Sequence, residues 1–240
     1  MNSYRELMGE IAVSASGILK NQKYICFIYG STIYNFKKSD LDLCFFVEEI
    51  EQRKFLDLKN MILSIHLKNG LPIDDEVPFE NKLVYTFDEV SSFLDKNIFK
   101  KEDTIEICEI IPYSNYLCSR EMKARLLYNI LTTKHDYILM NMTNSSVEDM
   151  KYKAWKLILE TIFTYYETDN LSIDTLITNL KKDSKRKLEG EDFLGYKDDS
   201  VDKESLLTFI EKMHMEGFLR KEGNRIHIIN LKAVVNNSYV

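Results

Sequence analysis

The order of apolar and polar residues in the first part of the chain predicts short buried strands between amphipathic helices. Residues 24–29 form a continuous apolar run that ends at Gly30, which is typical of a buried strand. Gly70 follows a stretch at helical spacing and is a suitable helix stop. Residues 1–117 are therefore predicted to form a mixed α+β domain. The same criteria predict helices over 3–20, 51–68 and 88–96 and strands over 24–29, 41–47, 71–77 and 104–111.

Beyond residue 118 the apolar positions follow helical spacing over longer stretches. Residues 120–135 and 147–167 are rich in leucine, isoleucine, tyrosine and phenylalanine, and paired helices of this kind form bundles. The polar segment 141–146 between them contains residues that commonly start helices. We therefore predict a helical bundle over residues 118–170.

The last part of the chain has a third pattern. Residues 171–189 and 203–216 have helical spacing, and Gly223-Asn224 lies between two alternating stretches, which is a hairpin signal. Helix, helix and hairpin in that order resemble a winged helix, so residues 171–240 are predicted to form a winged-helix-like domain. The whole chain is then predicted to be an α+β mixed sheet with flanking helices, followed by a helical bundle and this C-terminal part.

Composition and charge narrow the kinds of protein that this pattern allows. Hydrophobic residues make up 45% of the chain and charged residues 29%, which is enough for packed cores. No apolar run approaches the roughly 18–20 residues of a membrane span, and the N-terminus has no secretion signal, so a cytoplasmic protein without a membrane partner is expected. The net charge of −6 argues against a general electrostatic grip on nucleic acid. The four cysteines form no CxxC pair, which favours reduced, buried thiols.

Candidate chemistry is concentrated between the first two predicted strands. Gly30-Ser31 ends the first strand, and Asp40 and Asp42 lie at the start of the second, after a spacer of eight residues. Side chains alternate along a strand, so both aspartates are expected on one face and the leucines beside them on the other, in a core. Two carboxylates on one face repel each other unless a cation lies between them, and such oxygen ligands suit Mg²⁺. A glycine turn lets phosphate approach the backbone, where amide groups and the Ser31 hydroxyl can hold its oxygens.

A third carboxylate is expected from the third predicted strand, which contains Asp74, Asp75 and Glu76. If Ile73 and Val77 face the core, Asp75 shares their face, and Asp74 and Glu76 lie opposite. Asp74 and Glu76 are then the candidates to complete a metal site, and the position relative to the strand start favours Asp74. A shift of one residue selects Asp75 instead.

The Gly-Ser pair, the spacer and Ser39-Asp40-Leu41-Asp42-Leu43 together resemble the nucleotidyltransferase superfamily related to DNA polymerase beta. The resemblance covers residues 20–115 and is to the small bacterial group that includes minimal, aminoglycoside and lincosamide nucleotidyltransferases. A helical bundle after the catalytic domain also occurs in that group. Asn35 stands where the family often has a second glycine, and asparagine tolerates the left-handed backbone better than most residues.

The resemblance implies a reaction and a set of acidic residues. A nucleoside monophosphate, expected to be AMP, would move from ATP or another nucleoside triphosphate to a hydroxyl acceptor, with two Mg²⁺ ions and release of pyrophosphate. Asp40, Asp42 and Asp74 would be catalytic and would bind metal, with Glu76 as a further candidate ligand.

The resemblance also implies where the triphosphate binds. Gly30 and Ser31 would hold its β- and γ-phosphates. Lys38 and Lys82 lie near these segments in the sequence, where a positive charge could contact the nucleotide. Lysines in such loops are also common as solvated surface charges, so both readings stay open for these two residues.

The sequence does not identify the acceptor, so three functions remain as alternatives. The first is an enzyme that nucleotidylates a small molecule, and the second is one that modifies a protein or RNA partner, as antitoxin-like relatives do. The third is a catalytically silent winged-helix regulator. Intact carboxylates and the lack of a strongly basic helix over 203–216 argue against the third. The basic cluster at 181–187 is expected to be a solvated helix face, His66 and His135 are expected to be structural, and the bundle would allow a dimer.

Overall fold

A computed structural model describes the chain over residues 4–29, 40–73, 84–95, 120–165, 168–180 and 203–229. Two compact units are present. The described residues up to 93 form the first together with His135–Val147, and the second contains the described residues 120–134 and those after 147. The boundaries predicted at residues 117 and 170 stay predictions. The mixed α+β class is confirmed.

The first unit contains a four-stranded sheet with the order β3-β2-β1-β4. Strand β1 pairs antiparallel with β2 and β4, and β2 pairs parallel with β3. The sequence-predicted helices of this region and its first two strands are confirmed, with small shifts at their ends. In chain order the elements are α1 (Tyr4–Leu19), β1 (Tyr24–Tyr29), β2 (Asp42–Val47), α2 (Gln52–Asn69), β3 (Val84–Thr86), α3 (Phe87–Leu94) and β4 (Asp136–Met140).

One face of this sheet forms a hydrophobic core with α1 and α2. The buried side chains of α1 recur every fourth residue, so they form one stripe along the helix. Alternate residues of β1 and β2 join the same core, because successive side chains of a strand point to opposite faces. The strand residues on this face are Tyr24, Cys26, Ile28, Leu43, Phe45 and Val47.

The opposite face of the sheet is rich in aromatic rings. Phe27 is fully buried, and its ring centroid lies 4.8 Å from that of Phe46 and 5.0 Å from that of His135. Tyr137 of β4 lies 6.0 Å from the same ring, and Phe46 contacts Tyr85 of β3 at 5.4 Å. All four strands therefore contribute to or border one aromatic cluster, which holds the sheet in its register.

Two strands of this sheet are not predicted by the sequence pattern. The helix predicted over 120–135 ends at Thr132, and β4 follows it, paired with β1 from Tyr24↔Met140 to Ile28↔Asp136. The segment 136–140 has no clear alternation of its own, so its strand conformation depends on this distant partner. Strand β3 has only three residues, and its strand conformation likewise depends on its pairing with β2.

The strand predicted over 71–77 is wrong where the structure describes it. Residues 71–73 belong to neither a helix nor a strand. Gly70 ends α2 in the left-handed conformation (φ +61°), and Pro72 has no N–H to donate to a sheet. Residues 74–77 and the predicted strand 104–111 lie outside the described residues.

The second unit contains helices and a three-stranded sheet with the order β5-β7-β6. The predicted hairpin is confirmed, since Glu222 pairs with Arg225 across Gly223-Asn224, where Gly223 has φ +59°. The helix predicted from residue 171 begins two residues later, because Ser172 ends β5 and its Oγ accepts the Thr175 N–H at 3.0 Å. The elements are α4 (Arg120–Thr132), α5 (Asn144–Tyr165), β5 (Asn170–Ser172), α6 (Ile173–Leu180), α7 (Lys203–Met215), β6 (Leu219–Glu222) and β7 (Arg225–Ile228).

Helix α5 packs against α7 and the residues that follow it. The rings of Tyr152 and Phe209 lie 5.8 Å apart, and the Tyr152 hydroxyl donates a hydrogen bond to Glu216. The ammonium groups of Lys212 and Lys156 lie over the rings of Tyr152 and Phe218, at 4.1 and 4.6 Å. Within the residues that the structure describes, no helix is long and apolar enough to cross a membrane.

Candidate functional site

The first residue of β2 is Asp42, which shares the face of the sheet that bears the aromatic cluster, and Asp40 lies two residues before the strand. Leu41 and Leu43 are 3% and 4% exposed and belong to the core with α1 and α2, whereas Asp40 and Asp42 are only half-buried. Both leucines therefore face the core as expected, and strand alternation directs Asp42 to the opposite face. The Asp-Leu-Asp motif therefore places two carboxylates at the entry to a strand whose other face is held by packing against α1 and α2.

Strand β1 brings Tyr29 next to this acidic pair. Tyr29 is the direct partner of Asp42 in the antiparallel register, and it is the residue before Gly30-Ser31 in the sequence. Burial raises the pKa of the Tyr29 phenol well above its usual value, and the negative charges of Asp42 and Asp40 raise it further. The phenol therefore stays protonated at neutral pH and remains a hydrogen-bond donor on the acidic face.

Helix α2 contributes a buried histidine to the same region. His66 is 1% exposed, and its Nδ1 lies 2.7 Å from the Pro72 carbonyl oxygen. Its Nε2 lies 3.3 Å from the Leu41 backbone nitrogen and 3.4 Å from the Leu41 carbonyl oxygen. One imidazole thus contacts the backbone of the residue between the two aspartates and the backbone just after α2.

The predicted third carboxylate and the nucleotide-binding residues are not among the residues that the structure describes. Their predicted roles stay predictions. One premise is nevertheless wrong: Ile73 is 39% exposed and does not face the core, so the argument that preferred Asp74 and Glu76 over Asp75 has lost its basis. The residues outside the described part are Gly30, Ser31, Lys38, Asp74, Asp75, Glu76 and Lys82.

The described donors fit part of a magnesium site. Asp40 and Asp42 can supply hard carboxylate oxygens, and Mg²⁺ is commonly held by one or two carboxylates while it keeps several waters and shares substrate phosphate oxygens. No group of three histidine, cysteine, aspartate or glutamate side chains suited to a metal occurs in the described part of the chain. The acidic residues 74–76, which the sequence suggests as further ligands, lie outside that part.

Two residues of this site have no clear signal in the sequence. Tyr29 reads as the last apolar residue of a buried strand, and only the β1–β2 register pairs it with Asp42. His66 was expected to be structural, with no partner visible. Its partners are backbone groups, and Leu41, just before β2, lies 25 residues away, so no side-chain motif could reveal them.

Comparison of the chain with protein-family models, with curated proteins and with solved structures found no match. The case for a function therefore depends on the chemistry of these residues.

Proposed function

We propose that the chain is a metal-dependent nucleotidyltransferase that moves a nucleoside monophosphate from a nucleoside triphosphate to a hydroxyl acceptor. The observation that carries this proposal is the half-buried pair of aspartates at the entry to β2, where Asp42 is the direct partner of Tyr29 and Asp40 lies two residues before it. Tyr29 precedes Gly30-Ser31, so a phosphate-binding turn would begin beside the acidic pair. The proposal agrees with the family resemblance of the same motif.

The two aspartates would hold Mg²⁺ against the α-phosphate. Bound magnesium neutralises charge on the transferring phosphate and the leaving pyrophosphate and lowers the pKa of the acceptor hydroxyl. In the transfer, the acceptor oxygen forms a bond to the α-phosphorus as the bond from that phosphorus to pyrophosphate breaks. The acceptor proton would pass to a carboxylate acting as base, for which Asp74, Asp75 and Glu76 are the candidates.

The protonated Tyr29 phenol would serve the same face as a neutral donor. Because its pKa is raised, it can donate a hydrogen bond to a carboxylate or a phosphate oxygen without adding negative charge to the site. Gly30 and Ser31 would hold the β- and γ-phosphates, with Lys38 and Lys82 as candidate contacts to the triphosphate.

The C-terminal elements support a finer proposal. Helices α6 and α7 followed by the β6–β7 hairpin, with β5 as a third short strand, are consistent with a winged-helix-like module. Helix α7 carries Lys203 and Lys212 but also Glu204 and Glu211, so its charge is balanced. Phosphate backbones bind surfaces with a clear positive excess. The balance favours a small-molecule acceptor over RNA, and a protein acceptor is the alternative that the assay below would identify.

The experiment is transfer of label from α-labelled ATP, GTP, CTP and UTP with Mg²⁺, offered to the protein itself, to cell lysate and to a panel of hydroxyl-bearing small molecules. We expect Asp42→Asn to lower transfer at least about 100-fold, which corresponds to roughly 2.7 kcal/mol of transition-state stabilisation. Asn keeps the size of the side chain but removes the charge that attracts the metal, so the circular dichroism spectrum should not change.

Asp57→Asn is the matched control, because Asp57 is an exposed aspartate on α2 that lies outside the motif. It should transfer label at the wild-type rate. Full activity in Asp42→Asn, or equal losses in the two variants, would refute the proposal.

A second measurement separates the enzyme from the silent regulator. A ligand that binds only the folded state raises the melting temperature. We expect ATP with Mg²⁺ to raise it in the wild type but not in Asp42→Asn, and we expect duplex DNA to leave it unchanged. Stabilisation by DNA alone would favour the regulator.

A further inference from the structure

We propose that His66 is a positioning residue, which holds the Asp40–Asp42 pair in a metal-binding arrangement by fixing the backbone of Leu41. This inference rests on the proposed function for its chemical meaning. The contacts that carry it are the hydrogen bonds of one buried imidazole to Leu41 and Pro72.

The shortest contact of the ring favours one tautomer of His66. The Pro72 carbonyl oxygen can only accept, so the short contact of 2.7 Å requires an N–H at Nδ1 of His66. With that N–H at Nδ1, Nε2 carries a lone pair and accepts the Leu41 N–H at 3.3 Å. The Leu41 carbonyl oxygen, 3.4 Å from Nε2, then receives no hydrogen bond from the ring. Both ring nitrogens are used in this tautomer, and the ring is buried.

The position of Leu41 gives this bond its importance. The described register between β1 and β2 begins at the pair Tyr29↔Asp42, so Leu41 lies just before the paired part of β2. The imidazole therefore orders the backbone between the two carboxylates at the point where the described sheet pairing stops.

The end of α2 makes the geometry possible. His66 lies in the last turn, and its carbonyl oxygen accepts the Leu71 N–H at 3.0 Å after Gly70 turns the chain with φ +61°. This turn brings the Pro72 carbonyl back to the His66 ring. The same side chain therefore contacts the backbone of Leu41 and that of Pro72, which precedes the acidic residues 74–76 in the sequence.

A buried histidine with satisfied nitrogens could also serve stability alone, so the test compares two substitutions that each keep one bond. In His66→Asn the amide nitrogen can occupy the Nδ1 position and donate to Pro72, but nothing reaches Leu41. In His66→Gln the longer side chain places an oxygen near the Nε2 position and can accept from the Leu41 N–H. Both replace an aromatic ring with an amide, so both are expected to lower the melting temperature.

Two quantities are measured. Binding of Mn²⁺ in the presence of ATP is monitored through the electron paramagnetic resonance signal of free Mn²⁺. Hydrogen exchange of the Leu41 amide is measured in the same variants. Loss of a group that orients metal ligands weakens metal affinity about 10–100-fold. We expect His66→Asn to weaken Mn²⁺ binding at least about tenfold and to accelerate exchange at Leu41. We expect His66→Gln to change both much less, despite its lower stability.

The outcomes separate the two proposals. If the wild type binds no Mn²⁺ with ATP, the proposed function fails and the positioning role fails with it. If the wild type binds Mn²⁺ and His66→Asn binds it equally well, or if both variants weaken it to the same extent, only the positioning role is refuted. If His66→Asn does not fold, the test is a nuclear magnetic resonance measurement on the wild type. Adding Mg²⁺ and ATP should shift the nitrogen resonance of His66 Nε2, and an unchanged resonance would refute the positioning role.

Discussion

Phe27 should be among the residues whose truncation most destabilises the first unit. Its side chain is fully buried, and its ring lies between Phe46 of β2, His135 and Tyr137 of β4. Removing a buried phenylalanine ring typically costs about 3–5 kcal/mol, through lost transfer free energy and the cavity left behind. We therefore expect Phe27→Ala to lower the free energy of unfolding by about 4 kcal/mol.

Phe27→Leu should separate the contribution of the ring contacts from that of apolar volume. Leucine fills most of the cavity but loses the edge-on aromatic contacts, each of which is worth about 0.5–1.5 kcal/mol. Its expected cost is about 2 kcal/mol, roughly half that of Phe27→Ala. Whole domains are stable by only about 5–15 kcal/mol, so the alanine variant should leave the unit marginally stable.

The assay is urea unfolding, monitored with one probe for each unit because the chain has two compact units. The only tryptophan in the sequence, Trp155, belongs to the second unit, so its fluorescence reports on that unit. Hydrogen exchange of the β1 amides reports on the first. Leu67→Ala is the control, because Leu67 is 74% exposed on α2 and its truncation should change stability by less than about 0.5 kcal/mol. A cost below about 1 kcal/mol for Phe27→Ala would refute the view that this cluster stabilises the sheet.

Three further predictions concern other parts of the chain. Gly70→Ala should lower the free energy of unfolding by about 1–2 kcal/mol in urea unfolding, because Gly70 is left-handed at φ +61° although a Cβ there would meet no atom within 4 Å; an unchanged midpoint would contradict this. Burial raises the pKa of the Glu160 carboxyl, and the positive charge of Lys156 opposes this only in part. The folded state therefore binds this proton more tightly than the unfolded state does. As a result, the free energy of unfolding falls as the pH rises through the folded-state pKa. Glu160→Gln should therefore raise the melting temperature at pH 7, with the gain absent below the ordinary value of 4.5; a gain independent of pH would contradict the assignment. Cys26 and Cys44 are buried, and burial raises the pKa of the Cys26 thiol. Peptide mapping after iodoacetamide treatment should therefore find both cysteines modified only in denaturant. Rapid labelling of the native protein would be inconsistent with the packing.

Much of the first unit is predictable because its signals are local. The strand at 24–29 is a short apolar run, and α2 ends at a glycine that adopts the left-handed conformation. The opposite orientations of Asp42 and Leu43 follow from strand alternation alone, which does not require the partner strand to be known. The Gly223-Asn224 hairpin is likewise a two-residue signal within one stretch of chain.

The failed predictions concern residues whose state depends on distant partners. Ile73 was assigned to a core face on the assumption of a strand, but the end of α2 and Pro72 direct the chain differently and leave Ile73 partly exposed. The strand at 136–140 follows directly on a helical pattern, and only pairing with β1 makes it a strand. Strand propensity is weak without such a partner, because what stabilises a strand is its neighbours.

The sequence by itself determined which residues bear the candidate chemistry, because the Asp-Leu-Asp motif consists of three successive residues. The two-residue period of a strand then predicts which way their side chains point. Only the tertiary structure decided what surrounds that motif. Tyr29 reaches Asp42 through the register of two strands, and His66 reaches Leu41 from a helix 25 residues further along the chain. Such contacts form between groups that chain folding brings together, so their geometry has no counterpart in the local order of residues.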